Sequence, residues 1–327
     1  MPAVDLKNGE DITMTKDLTK GSPMKLIISF AVPLLFGFLF QQFYNLVDTM
    51  IVGRFLGVDD LAAGGATDSV NLLVVGVCMG VCNGVAIPVS HKFGAGDYVG
   101  MGKYVANCAW LGLVFSVVMT VVTAILCRNI LVWMKTPANI IDGAYDYIFI
   151  IFIGIPTVYL YNIVAGVIRA TGDSKTPVVF LVLSSIINIV LDLYFIISLH
   201  MGVAGAAFAT VLSQLASAVF VLRFLRGNRV LLRLEFECPQ VKTVCKIALM
   251  GLSPFLILAF DNVLIISLNT VIQMHRGEES DMLLTCTTIV QSFMLIVTLP
   301  LGGITSGTGA ILGFPFGAGR PARVTSA

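Results

Sequence analysis

Long apolar runs follow one another along most of the 327-residue chain, separated by short polar or charged stretches. A helix needs about 20 apolar residues to cross the hydrocarbon core of a bilayer. By that criterion the pattern predicts eight transmembrane helices, at residues 24–51, 62–90, 104–127, 138–168, 176–199, 202–226, 241–273 and 282–313. The first run is too long for a signal-peptide core and lacks a small-residue cleavage site, so we expect it to be retained.

The composition agrees with a polytopic membrane protein. Hydrophobic residues make up 57% of the chain and charged residues only 12%, about half of the charged fraction of a soluble domain. A formal net charge of +1 gives no sign of a nucleic-acid partner. The seven cysteines are scattered and have no histidine or second cysteine pair nearby, so we expect packing residues and no metal site.

The basic residues predict the orientation. All 20 Lys and Arg residues lie at the ends of the apolar runs or between them, 16 on one side of the predicted membrane and 4 on the other. Because cytoplasmic loops carry the excess of Lys and Arg, the N-terminus is predicted to be cytoplasmic.

Parts of the first two predicted helices recur in the last two. Pro33 and Asp48 recur as Pro254 and Asn269 at an offset of 221, and residues 93–96 and the glycines Gly80 and Gly84 recur as 316–319, Gly303 and Gly307 at an offset of 223. A repeat of six helices gives two lobes of the same orientation, which is typical of secondary transporters. The predicted domains are a cytoplasmic N-terminal segment (1–22), a six-helix N-lobe (23–226), a cytoplasmic linker (227–240) and a partial C-lobe (241–327).

Three acidic residues, Asp48, Asp192 and Asp261, fall inside apolar runs whose Lys and Arg residues lie only at the ends. A charge at the bilayer centre costs about 3 kcal/mol or more on insertion scales. Such a carboxylate either takes up a proton or binds a cation, and either makes its state depend on ions.

Two further polar residues share the depth of these acids. Asn188 and Asp192 are four residues apart and lie on one helix face. At 1.5 Å per residue, Asp192 and Thr210 lie about 10–12 Å below the outer surface, and Asp48 is also in the outer part of its helix. We therefore predict an oxygen-rich site for H⁺ or Na⁺ at Asp48, Asn188, Asp192 and Thr210, without a transition metal because no His or Cys joins it.

Other polar residues within the runs are candidates for a substrate cavity, because such side chains normally face a lumen or another helix. They are Gln41, Gln42, Tyr44, Asn45, Asn162 and Asp261. Hydrogen bonding between helices remains the alternative. Pro33, upstream of Asp48 on the same helix, is a candidate hinge or a static kink.

These motifs together resemble the multidrug and toxic compound extrusion (MATE) transporters. The resemblance is carried by residues 41–49 (QQFYNLVDT), 93–96 (FGAG), 168–177 (IRATGDSKTP), 188–192 (NIVLD) and 202–210 (GVAGAAFAT). It covers residues 24–226 well and extends more loosely to about residue 324.

The resemblance implies an all-α antiporter of two six-helix lobes, driven by Na⁺ or H⁺, that exports organic cations and amphiphilic drugs. The family's N-lobe cation site maps onto Asp48, Asn188, Asp192 and Thr210, and its bending proline maps onto Pro33. Gln41 and Asn162 fall at cavity positions, and Arg169 and Asp173 match a loop signature that we interpret as structural. Helices nine to twelve of the family pattern are not in this sequence, and Asp261-Asn262 stands where some relatives carry a glutamate.

The remaining expectations follow from this interpretation. We expect a multi-pass protein of the cell membrane that is not an enzyme, has no cofactor, contacts membrane lipids and small-molecule substrates, and is monomeric when full length. Two alternatives remain open. A flippase for lipid-linked saccharides would favour basic residues in the lumen, and an inactive truncated remnant would lack transport.

Overall fold

The computed structural model describes residues 22–134, 136–226, 240–274, 278–320 and 325. Within them the elements are helical. The helices are α1 (Pro23–Phe55), α2 (Val58–Gly94), α3 (Tyr98–Trp133), α4 (Ile141–Ile153), α5 (Ile155–Ala170), α6 (Lys175–Leu193), α7 (Gly202–Arg226), α8 (Val241–Met274) and α9 (Glu278–Gly317), with a π-helical turn at Tyr194–Ser198. Each predicted span coincides with one helix, except that α4 and α5 share the fourth and the π turn extends α6 in the fifth.

The all-α membrane fold predicted from the apolar runs is confirmed. Over the described residues, α1, α3, α6 with its π turn and α7 are long and apolar enough to cross a membrane, and α4 with α5 counts as a fifth span. Large apolar side chains such as Ile125 (73% exposed) and Phe293 (67% exposed) lie on the outer surface. This distribution suits helices whose outer faces contact lipid.

The fourth span is broken at Gly154, where α4 and α5 meet at 44°. Pro156 lies in the first turn of α5, where its missing N–H costs no internal hydrogen bond. Gly154 is buried against Val211 of α7, with no room for a side chain. The break therefore brings both halves of the span onto the main apolar core, which α2, α3, α4, α5 and α7 form around Phe152 and Tyr159.

The last two helices pack against the first two. α8 lies along α2, and α9 lies along both α1 and α2. An ideal Cβ on Gly303 of α9 would lie 3.4 Å from the Ala31 carbonyl oxygen and from the Leu35 backbone nitrogen of α1. Gly303 thus lets the backbones of α9 and α1 approach closely, as small residues do in membrane helix pairs.

Short polar interactions fix the helix ends. Asp173 accepts hydrogen bonds at 3.0 Å from the backbone N–H groups of Lys175 and Thr176 at the start of α6, in keeping with the structural role predicted for it. Asp97 caps α3 and accepts a hydrogen bond of 2.8 Å from Lys92. This bond holds the pKa of Asp97 below its usual range.

Several predicted features lie outside the described residues. They are most of the N-terminal segment (1–22) and of the linker (227–240), and the end of the partial C-lobe. Asp261 belongs to α8, but its side chain is likewise outside the description. The boundaries of the predicted domains therefore stay predictions.

Candidate cation site between α1, α6 and α7

An apolar cluster joins one end of α1 to the π turn and to the start of α7. Ile51 and Val52 of α1, Ile196 of the π turn and Ala206 of α7 are all at most 8% exposed and form this cluster. Each of them follows or precedes a predicted site residue by about one turn. The cluster therefore brings the acidic part of α1 against the polar faces of α6 and α7.

The two acids of the predicted site meet beneath that cluster. Asp192 is fully buried, Asp48 is partly buried, and their carboxyl groups lie within hydrogen-bonding reach of each other. Tyr44, one turn before Asp48 on α1, is close enough to interact electrostatically with both carboxylates. Tyr44, predicted as a cavity residue, thus lies beside the acid pair.

Asn188 links Asp192 to α7. With one orientation of its amide, Nδ2 donates to the Thr210 hydroxyl oxygen at 3.4 Å. With the amide turned over, Nδ2 donates to Asp192 Oδ2 at 3.2 Å, and the Asn188 side-chain oxygen accepts from the Thr210 backbone N–H at 3.3 Å. We adopt the second orientation because it satisfies both ends of the buried amide. The four residues of the predicted site are therefore brought together.

Two carboxylate oxygens of this cluster have no partner. Asp48 Oδ1 and Asp192 Oδ1 are buried and make no hydrogen bond to the described residues. The ion pairs among those residues, Lys92 with Asp97 and Arg128 with Asp142, lie at helix ends. Because two adjacent carboxylates repel each other in a medium of low dielectric constant, the arrangement favours a shared proton or a small cation between them.

The hydrogen bonds of two other predicted residues stay within their own helices. Asn162 is buried, and its Nδ2 donates to the Val158 carbonyl oxygen of its own helix at 2.8 Å. Asn45 is exposed on α1 and donates to Gln42 at 3.3 Å, and Gln41 is half-buried nearby. α1 continues as a helix through the half-buried Pro33.

Sequence reasoning missed the π-helical turn that begins two residues after Asp192. Such turns occur often at functional sites. The segment Tyr194–Ser198 is an ordinary apolar run, and only the positive φ of His200 (51°) and Gly202 (62°) marks the sharp turn into α7. The glycine at 202 was the one available signal, and it locates the turn without predicting the π geometry.

A family model described as MatE matches residues 33–194, a range that includes Asp48, Asn188 and Asp192. The "Probable multidrug resistance protein YpnP" of Bacillus subtilis is 33% identical over 198 residues, which are 61% of this chain and 44% of that protein. The "FAD transporter" of Shewanella oneidensis is 22% identical over 308 residues, which are 93% of this chain and 67% of that protein.

The fold of this chain is also similar to solved structures of MATE transporters. A MATE family multidrug resistance transporter in an outward-facing conformation superposes with a TM-score of 0.85 at 26% identity, over 95% of this chain and 69% of that one. The chain spans about half of the length of the curated multidrug resistance proteins that it matches.

Proposed function

Because the chain belongs to the MATE family of transporters, we propose that it is a secondary active antiporter that exports organic cations or amphiphilic drugs. In this proposal H⁺ or Na⁺ enters in exchange and binds at Asp48, Asn188, Asp192 and Thr210. The protein would act in the cell membrane with its N-terminus in the cytoplasm.

The observation that carries the proposal is the pair of partnerless oxygens on Asp48 and Asp192. Purely structural acids inside a membrane pair with basic groups or with hydrogen-bond donors. Here Oδ1 of each carboxylate lacks a donor or a positive charge among the described residues, and an exchangeable proton or Na⁺ would supply it.

Coupling follows from the change of charge at this pair. Without the ion, the negative carboxylates attract a cationic substrate into the space beside α1. When the ion binds, that attraction is lost and substrate binding weakens. The membrane potential favours inward ion movement by about 2.3 kcal/mol per charge per 100 mV. An ion shifts the equilibrium between two conformations only through its different affinity for them, and the acid pair supplies that difference.

The experiment is ion-driven substrate uptake into proteoliposomes that contain the full chain. Asp192→Asn keeps the size of the side chain and removes its charge, so ion-driven transport is expected to fall by at least about tenfold. The matched control is Asp146→Asn, which removes an exposed acid in the second turn of α4 and is expected to leave transport unchanged. Transport by Asp192→Asn at the wild-type rate and with wild-type ion dependence would overturn the assignment.

A substrate panel tests the specificity. It contains a lipophilic organic cation and flavin adenine dinucleotide, because one relative that covers 93% of this chain is named a FAD transporter. We expect export of the organic cation, since the site offers negative groups. Export of the dinucleotide alone would contradict the proposed substrate class while leaving the ion site to be tested by Asp192→Asn.

A further inference from the structure

The segment Phe-Gly-Ala-Gly occurs twice, at residues 93–96 and 316–319, and the two copies end α2 and α9. The second glycine of each copy, Gly96 or Gly319, has a left-handed φ of 70° or 67°. The residue after it donates its backbone N–H to the carbonyl oxygen five residues earlier, at 3.0 Å in both copies. Both helices therefore end in the same Schellman motif, which favours glycine at this left-handed position.

The first glycine of each copy lets the two helices touch. An ideal Cβ on Gly94 would overlap the carbonyl oxygen of Phe314 and lie 2.8 Å from its carbonyl carbon. An ideal Cβ on Gly317 would overlap the carbonyl oxygen of His91 and lie 2.7 Å from its carbonyl carbon. Real Cβ atoms essentially never approach within 3.0 Å of another heavy atom. α2 and α9 therefore meet backbone to backbone here, and either methyl group would force them apart.

These contacts are reciprocal. His91 and Phe314 are equivalent positions of the repeat at the offset of 223, as are the two first glycines. The aromatic contacts show the same symmetry. Phe93 packs on Phe314 with ring centroids 5.4 Å apart, and the equivalent Phe316 packs on His91 with ring centroids 4.9 Å apart. The two copies thus contact each other through a local pseudo-two-fold axis.

We propose that these two segments form a latch that closes this end of the molecule and must open for α2 and α9 to separate during transport. The inference rests on the alternating-access function proposed above. In the closed state the glycines permit backbone contact, whereas in the separated state a methyl group meets no opposing helix. Gly94→Ala and Gly317→Ala therefore destabilise the closed state alone and shift the equilibrium toward the open state.

The size of the shift follows from the cost of overpacking. Forcing an extra methyl into a close-packed contact changes a two-state equilibrium by about 5- to 150-fold. Spin labels on Val99 (66% exposed, α3) and Val241 (75% exposed, α8) report the separation across this end, in the full chain with its native cysteines replaced. Gly94→Ala and Gly317→Ala are each expected to raise the ratio of the longer-distance population to the shorter-distance population by that factor.

Matched controls exist on the same two helices. A Cβ on Gly64 of α2 or on Gly309 of α9 would meet nothing within 4 Å. Gly64→Ala and Gly309→Ala are expected to leave the distance distribution unchanged. The latch proposal is overturned if Gly94→Ala gives the same spin-label distance distribution as Gly64→Ala.

A cross-link tests the latch without relying on the alanine variants. Ser90 and Gly313 are equivalent positions that face each other, and an ideal Cβ on Gly313 would lie 3.0 Å from Ser90 Cβ. Disulfides need a Cβ separation of about 3.5–4.5 Å, so a small outward shift suffices. Ser90→Cys with Gly313→Cys is expected to form a disulfide that stops transport until it is reduced. Undiminished transport by the cross-linked protein would overturn the latch.

The two proposals fail separately. The distance measurement needs neither substrate nor ion, so an unchanged distribution overturns the latch and leaves the ion site intact. Conversely, wild-type transport by Asp192→Asn overturns the ion site, while a distance shift in Gly94→Ala would still support the latch.

Discussion

At the residue scale, the two buried carboxylates depend on the amide that joins α6 to α7. Asn188 is 2% exposed and contacts both Asp192 and Thr210. Asn188→Leu keeps roughly the same volume and removes these hydrogen bonds. Because a hydrogen bond to a charged group contributes about 1.5–3 kcal/mol, we expect the affinity for the coupling ion to change about 10- to 100-fold, upward for H⁺ since the ionised carboxylate loses a donor, measured by calorimetry or by proton release on the detergent-solubilised chain.

Ser185 provides the control for that substitution. It lies on α6 one turn from Asn188, is 3% exposed, and its hydroxyl donates to the Leu181 carbonyl oxygen of the same helix. Ser185→Ala removes a buried polar group of α6 whose hydrogen bond stays within that helix, so ion affinity should stay within about twofold of wild type, the range in which separate sites act independently. Equal changes in both variants would mean that Asn188 acts only through general packing.

The site residues differ in how far the sequence alone could identify them. Asp48 and Asp192 stand out because a charge in an apolar run without a basic partner is costly. Asn188 follows from the four-residue spacing to Asp192. The approach of Tyr44 to both acids could not be foreseen, because it depends on the rotation of α1 relative to α6, which no local pattern encodes.

At the element scale, the apolar runs predicted the helices well and their irregularities less well. The break at Gly154 was signalled by Pro156, since proline inside an apolar run tends to kink or restart a helix. The π turn at Tyr194–Ser198 was not signalled, because this segment reads as an ordinary apolar run. The turn packs against α7, where Phe195 lies 3.1 Å from the position that a Cβ on Gly205 would take, and local sequence does not encode such a contact.

Pro33 makes a prediction about α1 as an element. Pro33→Ala would restore a missing backbone donor in the middle of a 33-residue helix. Proline is about 3 kcal/mol less favourable than alanine inside a helix, and if half of that difference acts on bending, turnover falls about tenfold. Ion binding to the resting protein should not change. Proteoliposome transport and calorimetry measure the two quantities side by side.

The control for Pro33 is a proline at the start of a helix, where a backbone N–H would have no acceptor within the helix. Pro177 is buried in the first turn of α6, where the backbone N–H would be unsatisfied within the helix in any case. Pro177→Ala is therefore expected to leave turnover near the wild-type rate. A normal rate in Pro33→Ala would show that bending at this position is not part of the cycle.

At the scale of the whole molecule, the sequence predicted the repeat but not the contact between its copies. The offset of 223 between the two Phe-Gly-Ala-Gly segments could be found in the sequence alone. Their second glycines could be assigned to helix ends, since a left-handed residue is needed there. The role of Gly94 and Gly317 could not be assigned, because residues 223 positions apart meet only once the helices α2 and α9 have packed.

The orientation of the molecule gives the last prediction. The two ends of α2 carry exposed residues, Asp59 at its start and Ala95 just after its end. The asymmetry of 16 basic residues against 4 predicts that Ala95, and the latch with it, lies on the cytoplasmic side. On intact cells a membrane-impermeant maleimide should label Asp59→Cys at once and Ala95→Cys only after permeabilisation. The reverse pattern would place the latch on the outer side, and the end of the molecule that it closes would then be the substrate's exit and not its entrance.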